Sequence, residues 1–241
     1  MTAQRFPLDR LRPLSYIAAS IVLAGCPPSY RPLVPDALEP VSRDSAVEWT
    51  QATNLAGPTA IRFTWRYLDE RVRWGGRGTA RVAPPDSLRV DYRGSLGIGS
   101  GAAVVVGDQV QWAEPTGDFE RMVPAIPLLW AALGMVRPPA PDAMVFGTRS
   151  EGTTGPQRTV WRFARGADTL EYVATSGVPR TLEAEWRQRG RSVARSRTEY
   201  DAHAMPATAR IDFPEASARF ELTVVGIDSA AVIPPPLWRG R

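Results

Sequence analysis

The chain has 241 residues, a formal net charge of +4 and a single cysteine. One cysteine excludes an internal disulfide and a metal site built from several cysteines. The positive charge is carried entirely by arginine and is nearly balanced by 25 acidic residues, so it indicates neither a nucleic-acid surface nor a polybasic membrane patch.

The N-terminal residues have the layout of a secretory signal peptide. Three arginines precede an apolar run from Leu14 to Ala24, which is too short to span a bilayer. The residues LAGC, ending at Cys26, resemble the lipobox of bacterial lipoproteins. That resemblance implies cleavage before the cysteine and acylation of its thiol. Several acyl chains, at about 0.8 kcal/mol per buried methylene, anchor a protein strongly to a membrane. We therefore expect residues 1–25 to be removed and Cys26 to anchor the protein to membrane lipid.

Residues 26–40 contain five prolines and no periodic apolar pattern. This composition predicts a semi-rigid tether that reaches up to about 40 Å from the bilayer. A single domain is then expected over residues 41–241. It is expected to begin with a helix from about Asp44 to Leu55, because polar residues precede the segment and Gly57 and Pro58 follow it.

Most of the remaining sequence predicts β-strands. In AIRFTWRY, apolar residues alternate with polar ones from Ile61 to Tyr67, and SLRVDYRG and TVWRFAR repeat the pattern. Glycine-containing turns follow at Gly107, Gly166, Gly177 and Gly190. Short turns join antiparallel neighbours, so we expect a meander of about ten strands. A single sheet of this length must curl to bury its apolar face.

One segment departs from the strand pattern. Between Met122 and Val136 nearly every residue is apolar, with Pro127 near the start. This segment predicts a short helix that is too short to span a bilayer and is covered on most faces by a sheet or by a ligand. The large side chains expected on the apolar sheet face are Phe63, Trp65, Tyr67, Trp74, Trp112, Trp161, Phe163, Trp186, Phe213, Phe220 and Leu222. Composition alone favours a filled core over an apolar cavity, because aromatic stripes at strand spacing are usually packing.

Four segments in order carry a second resemblance. They are SLRVDYRG, SLGIGSGAAVVVGDQVQW, IPLLWAALGMVRPP and EYDAHAMPATARIDFPEASARFELTVV, and together they resemble the LolA/LolB group of lipoprotein-handling proteins, LolB most closely. The resemblance implies a mostly β fold in which a curved antiparallel sheet forms an incomplete barrel capped by a few short helices. It further implies a lipid-anchored protein of the bacterial outer membrane that faces the periplasm, receives acyl chains of lipoproteins or lipids from a LolA-like carrier, and helps to place them in the membrane.

The resemblance also implies roles for individual residues. The loop SLGIG is expected to project Leu96, with Ile98 beside it, into the membrane. The helix residues expected to contact acyl chains are Leu128, Leu129, Trp130 and Leu133. The sheet residues expected to line the cavity are Phe63, Trp65, Val90, Tyr92, Trp161 and Phe163.

Two other classes of protein remain as alternatives. A structural envelope lipoprotein would have a filled core and would bind its partner through an exposed strand edge. An enzyme would bring polar groups together in a cleft. His203 is the single histidine and no GxSxG sequence occurs, so we expect no catalytic residues and no metal. We also expect no cofactor and, because the charges nearly balance, no nucleic-acid partner.

Overall fold

A computed structural model describes residues 32–34, 37–95, 99–123, 125–149 and 156–238. The strands are β1 (Glu39–Pro40), β2 (Thr59–Leu68), β3 (Arg73–Ala83), β4 (Ser87–Gly94), β5 (Ser100–Val106), β6 (Gln109–Glu114), β7 (Met144–Arg149), β8 (Arg158–Arg165), β9 (Asp168–Thr175), β10 (Thr181–Gln188), β11 (Arg191–Tyr200), β12 (Pro206–Phe213) and β13 (Ala218–Asp228). The α-helices are α1 (Arg43–Gln51), α2 (Thr116–Met122) and α3 (Ile126–Ala132), and the short 3-10 turns are Pro214–Ala216 and Pro235–Trp238.

All thirteen strands belong to one antiparallel sheet. Its order is β1-β7-β8-β9-β10-β11-β12-β13-β2-β3-β4-β5-β6. The last strand in sequence, β13, pairs with β2 and so joins two meanders, while β1 and β6 form the edges and do not pair with each other. The expected mostly β fold with an unclosed sheet is confirmed. The sheet has thirteen described strands, so the expected number of about ten was too low.

The two faces of the sheet differ sharply. We define the inner face as the side that carries Phe63 and Trp65, and the outer face as the side that carries Arg62 and Thr64. Along β2 the inner residues are buried and the intervening arginines are exposed, as the alternation predicted. The inner face forms one hydrophobic core with α2 and α3. Trp112 was expected there but lies on the outer face, because it is the register partner of Val104, itself an outer-face residue.

The helices begin and end where local hydrogen bonds allow. The hydroxyl of Ser42 accepts the N–H of Ser45 at 3.1 Å and caps α1. That helix ends at Gln51, four residues before the expected Leu55, because the N–H groups of Thr53 and Asn54 make turn-type hydrogen bonds to the residue three positions back instead of helical ones. Beyond α3 the chain turns at Gly134, whose φ of 81° suits glycine.

The chain joins the domain earlier than the sequence predicted. Leu33 and Val34 are buried on the outer face against Val160 and Val173. The N–H of Leu33 donates to a carboxylate oxygen of Glu185 at 3.0 Å. The compact unit accordingly starts at Pro32, whereas a tether had been expected as far as Pro40. Apolar side chains at 33 and 34 explain the difference, since they lose contact with water on docking.

Two neighbouring carboxylates are buried beneath this segment. Glu171 and Glu185 are register partners on β9 and β10, and their exposures are 1% and 0%. Arg162 and Arg195 pair with them at 2.7 and 2.8 Å, which offsets part of the cost of removing the charges from water. Burial raises the pKa of the Glu171 carboxyl above its usual value, while Arg162 opposes the shift.

This raised pKa predicts how stability changes with pH. A carboxyl whose pKa is higher in the folded chain binds more protons there than in the unfolded chain, so its contribution to the unfolding free energy falls as pH rises above about 4.5. In Glu171→Gln that fall is absent. Urea denaturation between pH 4 and 8 is expected to show a smaller decline with pH in Glu171→Gln than in the wild type. Glu183→Gln, on the same face of β10, serves as control. Identical slopes in wild type and Glu171→Gln would contradict the prediction.

Candidate apolar binding site

An apolar pocket lies between the inner face of the sheet and helices α2 and α3. Its lining residues are Phe63, Trp65, Ala80, Val90, Tyr92, Phe119, Met122, Val123, Leu129, Leu133, Phe220 and Leu222. Its volume is about 30 Å³, which is room for roughly one water molecule. In this conformation the helices and the sheet therefore fill the interior between them.

A wider cleft adjoins this pocket at one end of the sheet. It has a volume of about 280 Å³ and shares Trp65, Tyr92 and Met122 with the pocket. Its remaining lining residues are Arg73, Trp74, Gly75, Gly94, Ser95, Gly99 and Asp118. We call it the mouth cleft. The shared residues make the pocket and the mouth cleft neighbours, so the apolar interior borders on an opening to solvent.

Aromatic contacts fix the walls that the two spaces share. The Trp65 ring stacks on Phe220 at 6.3 Å and meets the Tyr92 ring edge-on at 6.1 Å. The indole N–H of Trp65 donates to the carbonyl of Arg77 at 3.3 Å. Such pairs contribute about 0.5–1.5 kcal/mol beyond the buried area, so this wall is held in place more firmly than aliphatic packing alone would hold it.

Tyr92 supplies the polar group of the shared wall. Burial, and next the charge of Asp118, raise the pKa of its hydroxyl to about 12, so the phenol stays neutral at physiological pH. The hydroxyl has no hydrogen-bond partner among the described residues. A neutral phenol between the two spaces leaves the apolar character of the interior intact.

Glycines let the aromatic rings lie against the neighbouring strands. A Cβ on Gly78 would come within 2.5 Å of the Phe63 ring, and one on Gly101 would come within 2.4 Å of the Tyr92 ring. Both distances are far below van der Waals contact. The glycines of β3 and β5 therefore set how closely the rings approach the backbone of the sheet.

Six of the ten residues predicted to contact acyl chains line the pocket. They are Phe63, Trp65, Val90, Tyr92, Leu129 and Leu133. Trp161 and Phe163 instead belong to a separate aromatic group with Trp49 of α1 and Tyr172 of β9.

Leu128 and Trp130 are buried but do not line the pocket. The indole N–H of Trp130 donates to the carbonyl of Gly107 at 2.8 Å. The contact of all these residues with acyl chains stays a prediction.

Three predicted residues lie outside the described part of the chain. Cys26, Leu96 and Ile98 are the lipidation residue and the two loop residues. Ser95 and Gly99, which flank the loop, both line the mouth cleft. The loop therefore starts and ends beside this cleft.

Helix α2 was not predicted from the sequence. Three apolar residues here are buried and line the pocket: Phe119 and Met122 in the helix, and Val123 directly after it. Their spacing of three and four residues is a helical signal, but it spans little more than one turn. The segment GDFE offers few other indications of a helix.

Neither a metal site nor a membrane-spanning helix is found among the described residues. The described residues contain no cluster of three or more His, Cys, Asp or Glu side chains placed to bind a metal ion. No described helix is long and apolar enough to cross a membrane.

These features define a class of protein: an open antiparallel half-barrel whose apolar inner face is closed by short helices. Several solved structures are similar to this chain in fold. A LolA superfamily protein from Nitrosomonas europaea matches with a TM-score of 0.59 and 12% identity, over 83% of this chain and 98% of that one. A putative outer membrane lipoprotein-sorting protein domain from Vibrio parahaemolyticus matches with a TM-score of 0.53 and 10% identity, over 82% and 100%.

A DUF1329 family protein from Desulfovibrio piger also matches, with a TM-score of 0.50 and 9% identity, over 82% of this chain and 95% of that one. No family model and no curated protein matches the sequence. The chain thus has the LolA/LolB-like fold, as the sequence segments indicated.

The close approach of Phe63 to β3 gives a stability prediction. Gly78→Ala is expected to lower the unfolding free energy by about 1–3 kcal/mol, because the ring must move within a packed core. The matched control is Gly117→Ala in α2, where a Cβ meets no atom within 4 Å and alanine favours the helix. Thermal melting is expected to move down in the first variant and not in the second. Equal melting temperatures for Gly78→Ala and the wild type would contradict the close approach.

Proposed function

We propose that this protein is a LolB-like receptor: it binds the acyl chains of lipoproteins or lipids in its apolar interior and assists their insertion into the outer membrane. The observation that carries the proposal is an apolar pocket under two short helices that shares part of its wall with the mouth cleft. The LolA/LolB-like fold supports it, as does the neighbour from Vibrio parahaemolyticus, which is described as a lipoprotein-sorting domain.

Binding of an acyl chain requires one helix to move, and energetics favour α2. A chain of about fifteen methylenes gains about 12 kcal/mol on burial at about 0.8 kcal/mol each. Displacing Phe119, Met122 and Val123 exposes three buried side chains, at a cost of about 5–9 kcal/mol. For a chain that would otherwise be exposed to water the gain exceeds this cost, so such a chain can replace the α2 residues in the pocket.

Helix α3 is more costly to move. It buries six residues, from Ile126 through Ala132, and it packs against β10, β11 and β12. Thr198 and Tyr200 of β11 also donate hydrogen bonds to the carbonyls of Ala131 and Gly134. In the proposed mechanism α3 stays in place and forms the fixed wall of the acyl site.

The chemistry of transfer is binding without bond-making. Acyl chains would leave a LolA-like carrier, enter the pocket and pass to the bilayer, each step favoured by better burial of apolar area. No nucleotide is needed for such a sequence. The proposed location is the periplasmic face of the outer membrane, with Cys26 attached to lipid.

The docked N-terminal segment shortens the proposed tether. Six peptide units join Cys26 to Pro32, which is about 20 Å of fully extended chain. A domain held this close to the bilayer can bring the loop at Leu96 to the membrane surface. The mouth cleft borders that loop, so cargo would pass from cleft to bilayer along a short path.

A structural envelope lipoprotein is the second candidate function. The observation that favours it is the pocket volume of about 30 Å³, which is that of a filled core. The edge strands β1 and β6 each leave one side without a strand partner and would provide the protein-binding edge.

Acyl binding is tested with a core-deletion pair. Leu129→Ala removes a residue that lines the pocket, whereas Leu182→Ala removes a buried leucine of β10 that does not. Both changes are expected to cost about 2–5 kcal/mol of stability. Titration with a fluorescent long-chain fatty acid is expected to show binding by the wild type and severalfold tighter binding by Leu129→Ala, because added space lowers the cost of displacing α2.

The two variants separate the two candidate functions. Leu182→Ala is expected to bind the fatty acid as the wild type does. Absence of binding by both the wild type and Leu129→Ala would overturn the acyl-binding proposal and leave the structural role. Equal tightening in both variants would show that general loosening of the core, rather than the pocket, admits the probe.

The loop prediction has its own test. Leu96→Glu is expected to reduce lipoprotein or lipid transfer to vesicles by about tenfold or more, because a carboxylate strongly resists entering a bilayer. Val178→Glu places the same charge at an exposed apolar residue in another loop and is expected to leave transfer unchanged. Transfer by Leu96→Glu at the wild-type rate would remove Leu96 from the mechanism.

A further inference from the structure

A broad groove lies on the outer face of the sheet, opposite the apolar pocket. Its volume is about 1040 Å³, and outer-face residues of β2 to β5 form its floor. Trp112 and Val225 line it from the flanking strands β6 and β13. The acyl-binding proposal makes no use of this surface.

Two rows of cross-strand partners make up the floor. The first row runs Thr64, Arg77, Arg93, Ser100 from β2 to β5, and the second runs Arg62, Thr79, Asp91, Ala102, Glu114 from β2 to β6. In the first row two arginines are direct register partners, with a hydroxyl-bearing residue on either side of them. Like charges in this position lower the stability of a sheet.

Arg77 and Arg93 also lack compensation. Neither side chain makes a hydrogen bond or ion pair with any other residue among those described. The three other same-sign pairs in register within the described sheet all have counterions. They are Arg81–Arg89 with Asp91, Arg197–Arg210 with Glu183 and Asp212, and Glu171–Glu185 with Arg162 and Arg195. The uncompensated pair is therefore an exception to how this sheet arranges its charges.

The groove as a whole is positive. Its charged lining residues are Arg62, Arg77, Arg89, Arg93, Asp91 and Glu114. The carboxylate of Asp91 is already shared by Arg81 and Arg89 at 2.6 and 2.8 Å, and Glu114 lies at the far end of the second row. An anion that enters near the first row thus meets two guanidinium groups with no competing protein carboxylate bound to them.

We propose that this groove binds a phosphate-bearing organic molecule, with Arg77 and Arg93 as its principal phosphate ligands. A guanidinium donates two parallel hydrogen bonds to phosphate oxygens, and the hydroxyls of Thr64 and Ser100 are donors in the same row. Trp112 and Val225 offer apolar contacts to the organic part. The volume is of the order of known small-molecule sites and is far larger than a single phosphate ion needs.

The phosphate has two possible sources, a lipid headgroup and a soluble sugar phosphate. The test uses the mature chain with Cys26→Ser, so that no acyl anchor contributes. One arm measures flotation with phosphatidylcholine vesicles with and without phosphatidylglycerol. The other measures heat on titration with fructose bisphosphate, both at about 0.1 M salt, where distant charges are screened. Binding in the first arm identifies a headgroup, and binding in the second identifies a soluble ligand.

Matched charge changes decide whether the groove is the site. The double change Arg77→Gln with Arg93→Gln is expected to weaken binding by about tenfold or more. Arg197→Gln with Arg210→Gln removes the same charge from a compensated pair on the same face and is expected to change binding by less than about twofold. The first double variant is also expected to melt no lower than the wild type, because it removes a repulsion.

Two results would overturn the proposal: no binding of either probe by the wild type, or equal loss in both double variants. If the first double variant does not fold, Arg77→Lys replaces it. This change keeps the charge but loses the paired hydrogen bonds, so about threefold weaker binding is expected, and unchanged binding would count against the site. Fatty-acid binding in the pocket is expected to stay the same in these variants, so failure here is distinguishable from failure of the acyl-binding proposal.

Discussion

Burial of the inner sheet face against α3 is the contact on which the rest of the structure depends. A single open sheet with an aromatic inner face cannot remain in water, and no second sheet covers it among the described residues. Helix α3 is buried from Ile126 to Ala132, and each large apolar side chain it buries contributes about 1.5–3 kcal/mol. The carbonyl of Ala131 in its last turn accepts from Thr198, and that of Gly134 just beyond its end accepts from Tyr200, so a short helix without side-chain caps is still satisfied at its buried end.

Under the acyl-binding proposal, the core and the binding site are the same surface. The residues that stabilise the empty protein are the ones that would contact cargo, so the interior cannot be both densely packed and loaded. Unequal burial of the two helices resolves the conflict, because α2 buries little and α3 buries much. If the protein is a carrier as proposed, its cargo-free state is expected to have a pocket filled by its own side chains, which keeps the apolar interior from water.

The parts of the fold that were predictable are those where one residue type repeats with one period. Alternation along β2 placed Phe63 and Trp65 on the inner face, and the apolar segment between Met122 and Val136 predicted the helix that the structure shows as α3. Helix α2 was missed because its apolar residues span little more than one turn. Strand β3 gives no alternation, since Gly75, Gly76 and Gly78 occupy positions where other strands carry large side chains. These positions hold glycine because the Phe63 ring and neighbouring backbone atoms leave too little room for a Cβ. Sequence spacing cannot show such a tertiary contact.

The outer face carries the polar residues of the strand alternation, but parts of it are covered by other segments of the chain. Chain segments from both ends lie on it: Leu33 and Val34 cover β8 to β10, and the carbonyl of Leu237 accepts from Arg89 on β4. Each covered region has charges that are paired with one another, which is the condition for burying them. Among the described residues, none covers the row at Arg77 and Arg93 or pairs with these two side chains. A repulsive pair weakens the sheet that carries it, and an anion bound in the groove, as proposed above, would offset that repulsion.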